Sequence, residues 1–549
     1  MTDNKNNLTL VAIFSIYFFI GIFIYKDYGV GIEEHFQRQN GFYWLSQILN
    51  ITDFENLKLI VNQKYQSILL NNPDLPKSGF FNFYGILFDV PTALIESLFA
   101  IENSKIYFEI RHILNFIVFF VGSIFFYKIL SKRFDFVISV LGLLIYIATP
   151  RIFGDSFHNN KDVFFLSLFT IALYYCFEVL NKDSFKNIII FSLFAAFATS
   201  SRIIAIFFPF SVIIFLFFEF LSKKKQLNDF LIKSLILLSF FSIFLFLHFP
   251  YAWTLEFTNI LNWLDPFFYH MNMNILFDGN YYKMNSLPAS YLPKFIFITT
   301  PFYYSVLFAI GFFYLLLRFF RRILSVKENS FHNDFWRGIK EKKDSYIIIF
   351  LLVFLFYGCF FNVPFVSGWR FFYFLHAFIV YIAVFALDLI YLRFFKSKKK
   401  IFLFSTLSFL PILLVLYQII LFHPYQSLYF NFFINTSNVL NFQVDTPSLS
   451  RSEALKKILT QSRDEKVISV GNASWTPFQN GKDILEPEDQ KKFNFVGQEY
   501  EKADYIYTNY IYEVDPKYNK KYKIPDNFTK IEKLTINGIP IYSIYKKSN

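Results

Sequence analysis

Long apolar runs, separated by short charged segments, fill the chain up to residue 423. They predict eleven membrane-spanning helices, at residues 8–25, 112–130, 136–150, 163–180, 187–200, 203–221, 229–249, 295–317, 345–361, 371–391 and 401–422. The first run is longer than the apolar part of a cleavable signal peptide, so we expect it to remain as the first spanning helix. The pattern therefore indicates a polytopic membrane protein.

The connections between these runs alternate in their content of basic residues. Every second connection holds a basic cluster, and these clusters comprise Lys128, Lys132, Arg133, Lys182, Lys186, Lys223, Lys224, Lys225, Arg318, Arg321, Arg322, Lys327, Arg393, Lys396, Lys398, Lys399 and Lys400. The other connections hold only scattered basic residues. Because cytoplasmic loops carry the excess of lysine and arginine, the clusters predict a cytoplasmic N-terminus and an external C-terminus. We expect the chain to lie in a bacterial inner membrane.

Residues 80–101 are apolar and long enough to span a bilayer, but Asp89, Pro91 and Glu96 interrupt them. Counting this segment as a span would invert every later connection and place the basic clusters outside. We therefore predict an interfacial or re-entrant segment within a long external loop, residues 26–111. In the same loop, residues 57–70 have apolar positions at helical spacing and predict a second interfacial helix.

The sequence changes character after His423. Residues 424–549 have a soluble composition, with a helix predicted at SEALKKIL and strands predicted at KVISV, ADYIYTNY and LTINGIPIYSIY. The pair Asn537-Gly538, between two alternating runs, is typical of a tight hairpin turn. The chain is thus predicted to divide into a membrane domain, 1–423, and a small external α/β domain, 424–549.

Composition restricts the partners. Hydrophobic residues make up 55% of the chain and charged residues 17%, and the formal net charge is +12. The positive charge lies in short connections at the membrane edge, where it suits lipid headgroups, so we expect membrane lipids and not nucleic acid as partners. Cys176 and Cys359 lie inside apolar runs and predict neither a disulfide nor a metal site.

Polar residues able to perform chemistry gather in the predicted external loops. The set comprises Glu33 and Glu34 after the first run, Arg151, Asp155, His158, Lys161 and Asp162 in the segment PRIFGDSFHNNKD, and Arg202 and Arg370 at the ends of two further segments. Polar groups at membrane depth are costly and are therefore candidates for function. The acidic pair also has a structural explanation, since carboxylates favour the start of a helix.

The chain resembles the GT-C glycosyltransferases, in particular the protein O-mannosyltransferase and aminoarabinose-transferase-like group, in the ordered stretches EEHFQRQNG, PRIFGDSFHNNKD, LPASYLPKFIFITTPFYYSVLFAIGFF, SGWRFFYF and HPYQSLYFN. The resemblance implies an all-α, GT-C-type membrane fold of about eleven spans, followed here by the small α/β domain. In that family the first-loop pair is usually Asp-Glu, and its Asp is taken as the catalytic base. Here Glu33-Glu34 stands in its place, so which of the two acts stays open. Asp162 matches the late acidic residue of the second loop.

The resemblance implies transfer of a monosaccharide from a polyprenyl-phosphate donor to an external glycan, lipid or protein acceptor, by an inverting reaction with a carboxylate base. The expected roles are Glu33 as base, Glu34 as alternative base or metal contact, Asp162 as supporting acid or acceptor-orienting group, Lys161, Arg202 and Arg370 as phosphate contacts, and Arg151, Asp155 and His158 as further candidates. No cofactor is specified, and a divalent metal is left open. The external domain shows no catalytic cluster and is expected to help recognise the acceptor.

Two other classes share some of these features. A transporter or flippase for lipid-linked sugars would also have many spans, but its polar residues should lie in the middle of broken helices. An O-antigen polymerase or ligase would work on the same face with the same type of donor. Such enzymes are expected to depend on external arginines and a large late loop rather than on a first-loop acidic pair.

Overall fold

The computed structural model describes residues 2–71, 85–221, 226–253, 273–324, 336–395, 398–462, 466–511 and 519–548. Most of the chain is helical. The helices before the C-terminal region are α1 (Thr2–Ile24), α2 (Glu34–Leu49), α3 (Glu55–Asn71), α4 (Asp89–Leu98), α5 (Ser104–Ser131), α6 (Phe136–Ile147), α7 (Pro150–His158), α8 (Asp162–Asn181), α9 (Phe185–Ser201), α10 (Phe207–Leu221), α11 (Leu227–His248), α12 (Tyr291–Thr299), α13 (Phe302–Leu324), α14 (Gly338–Phe360), α15 (Leu375–Ile390) and α16 (Lys398–Leu421). A short hairpin of strands β1 (Asn274–Phe277) and β2 (Asn280–Lys283) precedes α12.

Within the described ranges, nine helices are long and apolar enough to cross a bilayer, and ten if the bent pair α6–α7 is one span. Each of the eleven predicted runs falls mostly on a helix. The remaining predicted run, 187–200, falls on α9, whose 17 residues make it shorter than the nine helices just counted. The chain is therefore a multi-pass membrane protein, and a count of eleven holds if both α9 and the bent pair cross.

Prolines set two of the helix boundaries. The predicted run 295–317 is divided between α12 and α13, because Pro301 lacks a backbone N–H and disfavours helical conformation at the residue before it. Pro150 begins α7, a favourable first position for proline, and α7 is bent by 60° from α6. The bend turns the polar residues of α7 toward the rest of the protein, and all nine residues of this helix are buried.

The predicted interfacial segment at 80–101 contains the helix α4, whose ten residues are too few to span a bilayer. Its acidic residues face protein partners. Asp89 pairs with Arg111 of α5 at 2.7 Å, and Glu96 pairs with Arg38 of α2 at 2.6 Å and with Lys64 of α3 at 3.4 Å. Residues 80–84 of that segment lie outside the described residues.

The C-terminal region contains a five-stranded sheet with strand order β4-β3-β5-β7-β6. Its strands are β3 (Ile468–Asn472), β4 (Phe493–Gly497), β5 (Tyr505–Thr508), β6 (Phe528–Ile536) and β7 (Ile539–Lys547), and its helices are α17 (Ser450–Gln461), α18 (Pro487–Gln490) and α19 (Asn519–Tyr522). Strands β3, β4 and β5 are parallel, whereas β7 pairs antiparallel with β5 and β6. The predicted turn is present, since Asn537 and Gly538 have positive φ values of 50° and 76° between β6 and β7.

A buried charged cluster joins three helices at the end of α14 that is remote from α7. The carboxylate of Asp344 is wholly buried and contacts Arg133 at 3.0 Å, Arg318 at 2.7 Å and the hydroxyl of Tyr381 at 2.6 Å. These partners lie beyond α5, on α13 and on α15. The cluster therefore links α14 to α13, to α15 and to the segment that follows α5.

Candidate active site

The acidic pair separates where α2 begins. Glu33 precedes the helix and Glu34 is its first residue, so the two side chains leave the backbone in different directions. Glu34 is 1% exposed, and its Oε2 accepts a hydrogen bond from the N–H of Gly31 (2.7 Å) and contacts Nε2 of His112 (3.1 Å). Glu34 thus ties its own loop to α5. The side chain of Glu33 remains one-third exposed.

Arg370 contacts the carboxylate of Glu33 through its Nη2. It follows a turn in which Ser367 and Gly368 both have positive φ values, of 60° and 74°, and Gly368 adopts this conformation without strain. Next in the chain, Trp369 is buried and its Nε1 donates to Oγ1 of Thr299 (2.8 Å), which fixes the turn. The geometry of this loop therefore delivers Arg370 to Glu33.

Asp162 lies on the other side of Arg370. Its Oδ2 is 3.7 Å from Nε of Arg370, and its Oδ1 contacts Nη2 of Arg202. The amide of Asn159 holds the carboxylate in place, since its Nδ2 donates to Oδ2 of Asp162 (3.2 Å) and its Oδ1 accepts from the backbone N–H of Asp162 (2.8 Å). Glu33, Arg370, Asp162 and Arg202 thus form one continuous row of alternating charge.

The three further candidates of α7 point to the segment that follows α16. Nε2 of His158 lies 2.9 Å from Oγ of Ser427 and 3.3 Å from Oδ1 of Asp155. Nε of Arg151 donates to the carbonyl of Tyr429 at 2.8 Å. These contacts join α7 to the first residues of the C-terminal region, 424–549.

The charged row borders a cleft, here called the Glu33 cleft. Five of the sequence-predicted residues line it: Glu33, Arg151, Asp155, His158 and Arg370. Thr446 and Pro447 of the C-terminal region line it as well. Glu34 is not among its lining residues, and Asp162 and Arg202 approach it through their contacts with Arg370 and with each other.

Lys161 lines a second cleft, here called the Asp89 cleft, together with Gln37, Asn40, Asp89 and Asn160. Gln37 and Asn160 line both clefts, so the two adjoin. In the described parts of the chain, no three His, Cys, Asp or Glu side chains are grouped to hold a metal ion.

Neighbouring side chains hold the pKa of both members of the acidic pair below the ordinary value. Burial acts to raise the pKa of Glu33, but Arg370 and then Lys161 outweigh it and leave this pKa below the ordinary value. Burial acts in the same direction on Glu34, and His112 outweighs it, so the pKa of Glu34 is also lowered. Arg370 in turn has a raised pKa, because Glu33 and Asp162 overcome the effect of its burial. At neutral pH, all three groups carry their charge.

The loop that bears Glu33 is held by the C-terminal region. The guanidinium of Arg451 is wholly buried and donates from Nη2 to the carbonyl of Val30 (2.8 Å), from Nε to Ser448 (2.8 Å) and from Nη1 to Pro477 (2.7 Å). The N–H of Ile32 donates to the carbonyl of Pro447 at 3.0 Å. The C-terminal region therefore belongs to the structure of the site.

Residues 91–248 match the family model described as dolichyl-phosphate-mannose-protein mannosyltransferase. The matched part, less than a third of the chain, runs from α4 to α11 and contains Asp155, Lys161, Asp162 and Arg202. Over this part, the match supports the GT-C resemblance predicted from the ordered stretches of sequence.

Among solved structures, the chain is similar to "Crystal Structure of ArnT from Cupriavidus metallidurans bound to Undecaprenyl phosphate", with 9% identity and a TM-score of 0.46 over 98% of this chain and 97% of that one. A TM-score below 0.5 is too low for the transfer of a site or a substrate. A comparison with curated proteins finds no match.

Sequence reasoning missed several residues at this site. Arg111, which pairs with Asp89, stands one position before a predicted span and was not considered. The signal for it was Asp89 itself, an acid in an apolar run that requires a buried cation. Arg451 gave no such signal, because it lies in a polar helix whose composition is ordinary for a soluble surface.

Proposed function

We propose that the protein is a glycosyltransferase that moves a monosaccharide from a polyprenyl monophosphate to an external acceptor, with Glu33 as general base. The observation that carries this proposal is the contact of Arg370 with Glu33 at the rim of the Glu33 cleft, with Asp162 on the other side of the same guanidinium. It puts a carboxylate that can accept a proton beside a cation that can receive a phosphate.

The reaction would proceed by a single displacement. The acceptor hydroxyl attacks the anomeric carbon, the bond from this carbon to the phosphate oxygen breaks, and Glu33 takes the hydroxyl proton. The products are the glycosylated acceptor, polyprenyl monophosphate and protonated Glu33, and the anomeric configuration inverts because the hydroxyl enters opposite to the phosphate. Arg370 would stabilise the charge that develops on the leaving phosphate.

The charge balance of the site suits one lipid phosphate. Lys161, Arg202 and Arg370 provide three positive charges, whereas Glu33 and Asp162 provide two negative ones, so this group has an excess of one cation. An incoming phosphate would compete with Glu33 for Arg370. Release of Glu33 from Arg370 would raise the pKa of its carboxylate and make it a better base at the moment when donor is bound.

Glu33 is the better of the two candidate bases because of access. Its carboxylate borders the cleft, whereas that of Glu34 is buried against Gly31 and His112. Asp162, held by Asn159 and Arg202, is suited to orient Arg370 and Arg202 rather than to exchange a proton with solvent. We therefore assign Glu34 to the support of the loop and Asp162 to the positioning of the two arginines.

An external location of the site follows from the basic clusters. Arg111 and His112, beside the site, lie near the first turns of α5, and Arg133 follows its last residue. The 28 residues of α5 extend about 42 Å, enough to cross a bilayer. If the basic end faces the cytoplasm, the site faces outward, in the bacterial inner membrane.

Of the alternatives, a flippase is disfavoured because the charged row lies at the ends of helices and in loops rather than at mid-helix breaks. A polymerase or ligase of O-antigen type would use the same donor class. The contact between Glu33 and Arg370 favours a transferase with a carboxylate base over a polymerase or ligase of O-antigen type.

The test uses the purified chain in nanodiscs and offers it sugar-bearing undecaprenyl monophosphates or, for comparison, UDP- and GDP-sugars. Envelope extract from a deletion strain supplies the acceptor. The release of undecaprenyl phosphate is measured. Transfer from a lipid donor, lost in Glu33→Gln and retained in the control Glu102→Gln, is the expected result. Efficient transfer from a nucleotide sugar in lipid-free preparations, or normal turnover by Glu33→Gln, contradicts the proposal. Mass spectrometry of envelope glycans from the deletion strain would identify the sugar and the acceptor.

A further inference from the structure

The Asp89 cleft contains buried side-chain amides whose carbonyl oxygens accept no hydrogen bond from the described residues. Asn40 is 1% exposed, Asn160 is 5% exposed and Gln37 is 6% exposed. Leaving a buried polar atom without a partner costs free energy, and such atoms in a cleft indicate a ligand that supplies the missing donors.

Asp89 explains why these oxygens, and not the amide nitrogens, are available. Nδ2 of Asn40 donates to Oδ2 of Asp89 (3.2 Å), and Nδ2 of Asn160 donates to its Oδ1 (3.4 Å). Arg111 fixes that carboxylate from the other side, with Nη2 donating to Oδ1 at 2.7 Å and Nη1 donating to Thr92 at 2.7 Å. The carboxylate of Asp89 therefore occupies the NH2 groups of Asn40 and Asn160 and leaves the carbonyl oxygens of these two amides as acceptors.

The ligand must bring several O–H or N–H donors on one compact body with an apolar face. Phe88 and Phe164, whose ring centroids are 5.4 Å apart, provide apolar wall beside these acceptors. A sugar ring has this combination, with hydroxyl donors around its edge and C–H groups on its faces. Water alone would satisfy the acceptors but not use the aromatic wall.

We propose that the Asp89 cleft binds the sugar ring of the donor, with hydroxyl groups of the sugar donating to Asn40, Asn160 and Gln37. This inference rests on the proposed function, since it names the part of the substrate that lies beside the reacting bond. Lys161 lines this cleft, and Gln37 and Asn160 also line the Glu33 cleft. A phosphate near Lys161 and Arg370 would therefore have its sugar in one cleft and the attacking acceptor in the other.

Binding rather than turnover tests this assignment. The full chain in nanodiscs is titrated with undecaprenyl phosphate and with its mannosyl, glucosyl and aminoarabinosyl derivatives. The wild type is expected to bind at least one sugar lipid about tenfold more tightly than the sugar-free lipid. Gln37→Met and Asn160→Ala should each lower this preference about tenfold and leave affinity for undecaprenyl phosphate within about twofold, as expected for the loss of one buried hydrogen bond.

Two further variants separate the proposed role from a structural one. Gln37→Glu keeps acceptor oxygens at the same place and should retain the preference, even though its charge weakens binding of both lipids alike. Gln39→Met changes a buried amide on the same helix that does not line the cleft, and should also retain it.

Four results would overturn the assignment. Equal wild-type affinity for all four lipids would remove the sugar site and leave the proposed donor class intact, whereas no binding of any lipid would overturn the proposed function itself. An unchanged preference in both Gln37→Met and Asn160→Ala would exclude the amides. An unchanged preference together with a raised KM for the acceptor would mean that the sugar bound here is the acceptor's.

Discussion

Arg451 donates a hydrogen bond to the backbone carbonyl of Val30, 421 positions earlier in the chain, at 2.8 Å. The same short loop comes so close to α17 that a Cβ at Gly29 would lie 2.4 Å from the carbonyl oxygen of Leu449. The loop that leads to Glu33 is therefore shaped by the C-terminal region, and we expect this region to affect catalysis as well as any recognition of acceptor.

We predict that Arg451→Ala reduces kcat more than it raises the KM for the lipid donor. The variant loses three hydrogen bonds to backbone carbonyls, each worth about 1.5–3 kcal/mol when the donor is charged, and the Glu33 loop loses its fixed position. Steady-state kinetics and thermal unfolding in detergent would measure both effects. Lys457→Ala, on the exposed side of the same helix, is the matched control and should change neither. Unchanged kcat in a folded Arg451→Ala would contradict the positioning role.

The lowered pKa of Glu33 leads to a prediction for the pH dependence. In the free enzyme, Arg370 and Lys161 overcome the effect of burial and hold this pKa below the ordinary value, about 4.3 for glutamate, so kcat/KM should show no acid limb above about pH 4. In the donor complex, phosphate draws Arg370 away and the pKa rises, so the acid limb of kcat should lie at higher pH. Rates measured from pH 4 to 8 would show the separation. If the acid limbs of kcat and kcat/KM lay at the same pH, Arg370 would remain in contact with Glu33 in the donor complex as well.

Arg370→Ala should mainly raise the KM for the lipid donor. A charge-assisted contact contributes about 1.5–3 kcal/mol, which corresponds to roughly a ten- to hundredfold change in donor use. Arg370→Lys keeps the charge but loses the planar guanidinium that reaches both Glu33 and Asp162, and should recover only part of the loss. Arg393→Ala, an exposed arginine at the other end of the same segment, serves as control. A donor KM near the wild-type value in Arg370→Ala would exclude the phosphate contact.

Asp344→Asn should destabilise the protein without changing its KM for the lipid donor. The substitution leaves Arg133 and Arg318 without their shared buried carboxylate, and breaking such a pair costs about 3–5 kcal/mol. The unfolding temperature of Asp344→Asn in detergent should be markedly lower than that of the wild type. The control Asp135→Asn, at an exposed position, should unfold at the wild-type temperature. A stable Asp344→Asn, or one with altered donor KM, would show that the cluster is not a structural clamp.

The orientation can be tested with reporter fusions. Fusions after Lys400 should be cytoplasmic, whereas fusions after Gly279 and at the C-terminus should be external, as the basic clusters predict. Because Arg451 contacts the loop of Glu33, the site and the C-terminal region share one side of the membrane, so a cytoplasmic C-terminus would contradict the external location of the site.

Sequence patterns predicted the helical segments well because hydropathy acts locally, and they also gave the hairpin at Asn537-Gly538. They could not separate the roles of Glu33 and Glu34, since this depends on which residue begins α2 and on the position of His112, 78 residues away. Nor could they predict the pairing of Asp89 with Arg111, because nothing in a single sequence specifies which buried charges meet.

Lowered pKa values at both glutamates also differ from a simple sequence expectation. Two adjacent carboxylates should raise each other's pKa. In the structure each carboxylate has its own partner, Arg370 for Glu33 and His112 for Glu34, and neither partner is close in sequence.

The bend between α6 and α7 affects how the protein enters the membrane. The 12 residues of α6 extend about 18 Å, well short of the roughly 30 Å of hydrocarbon that a span must cross. We therefore expect α6 to enter the bilayer together with α5, against which it packs, rather than as a span of its own. Only with α7 does this segment approach the length of a span, so truncations that end between α6 and α7 should insert poorly.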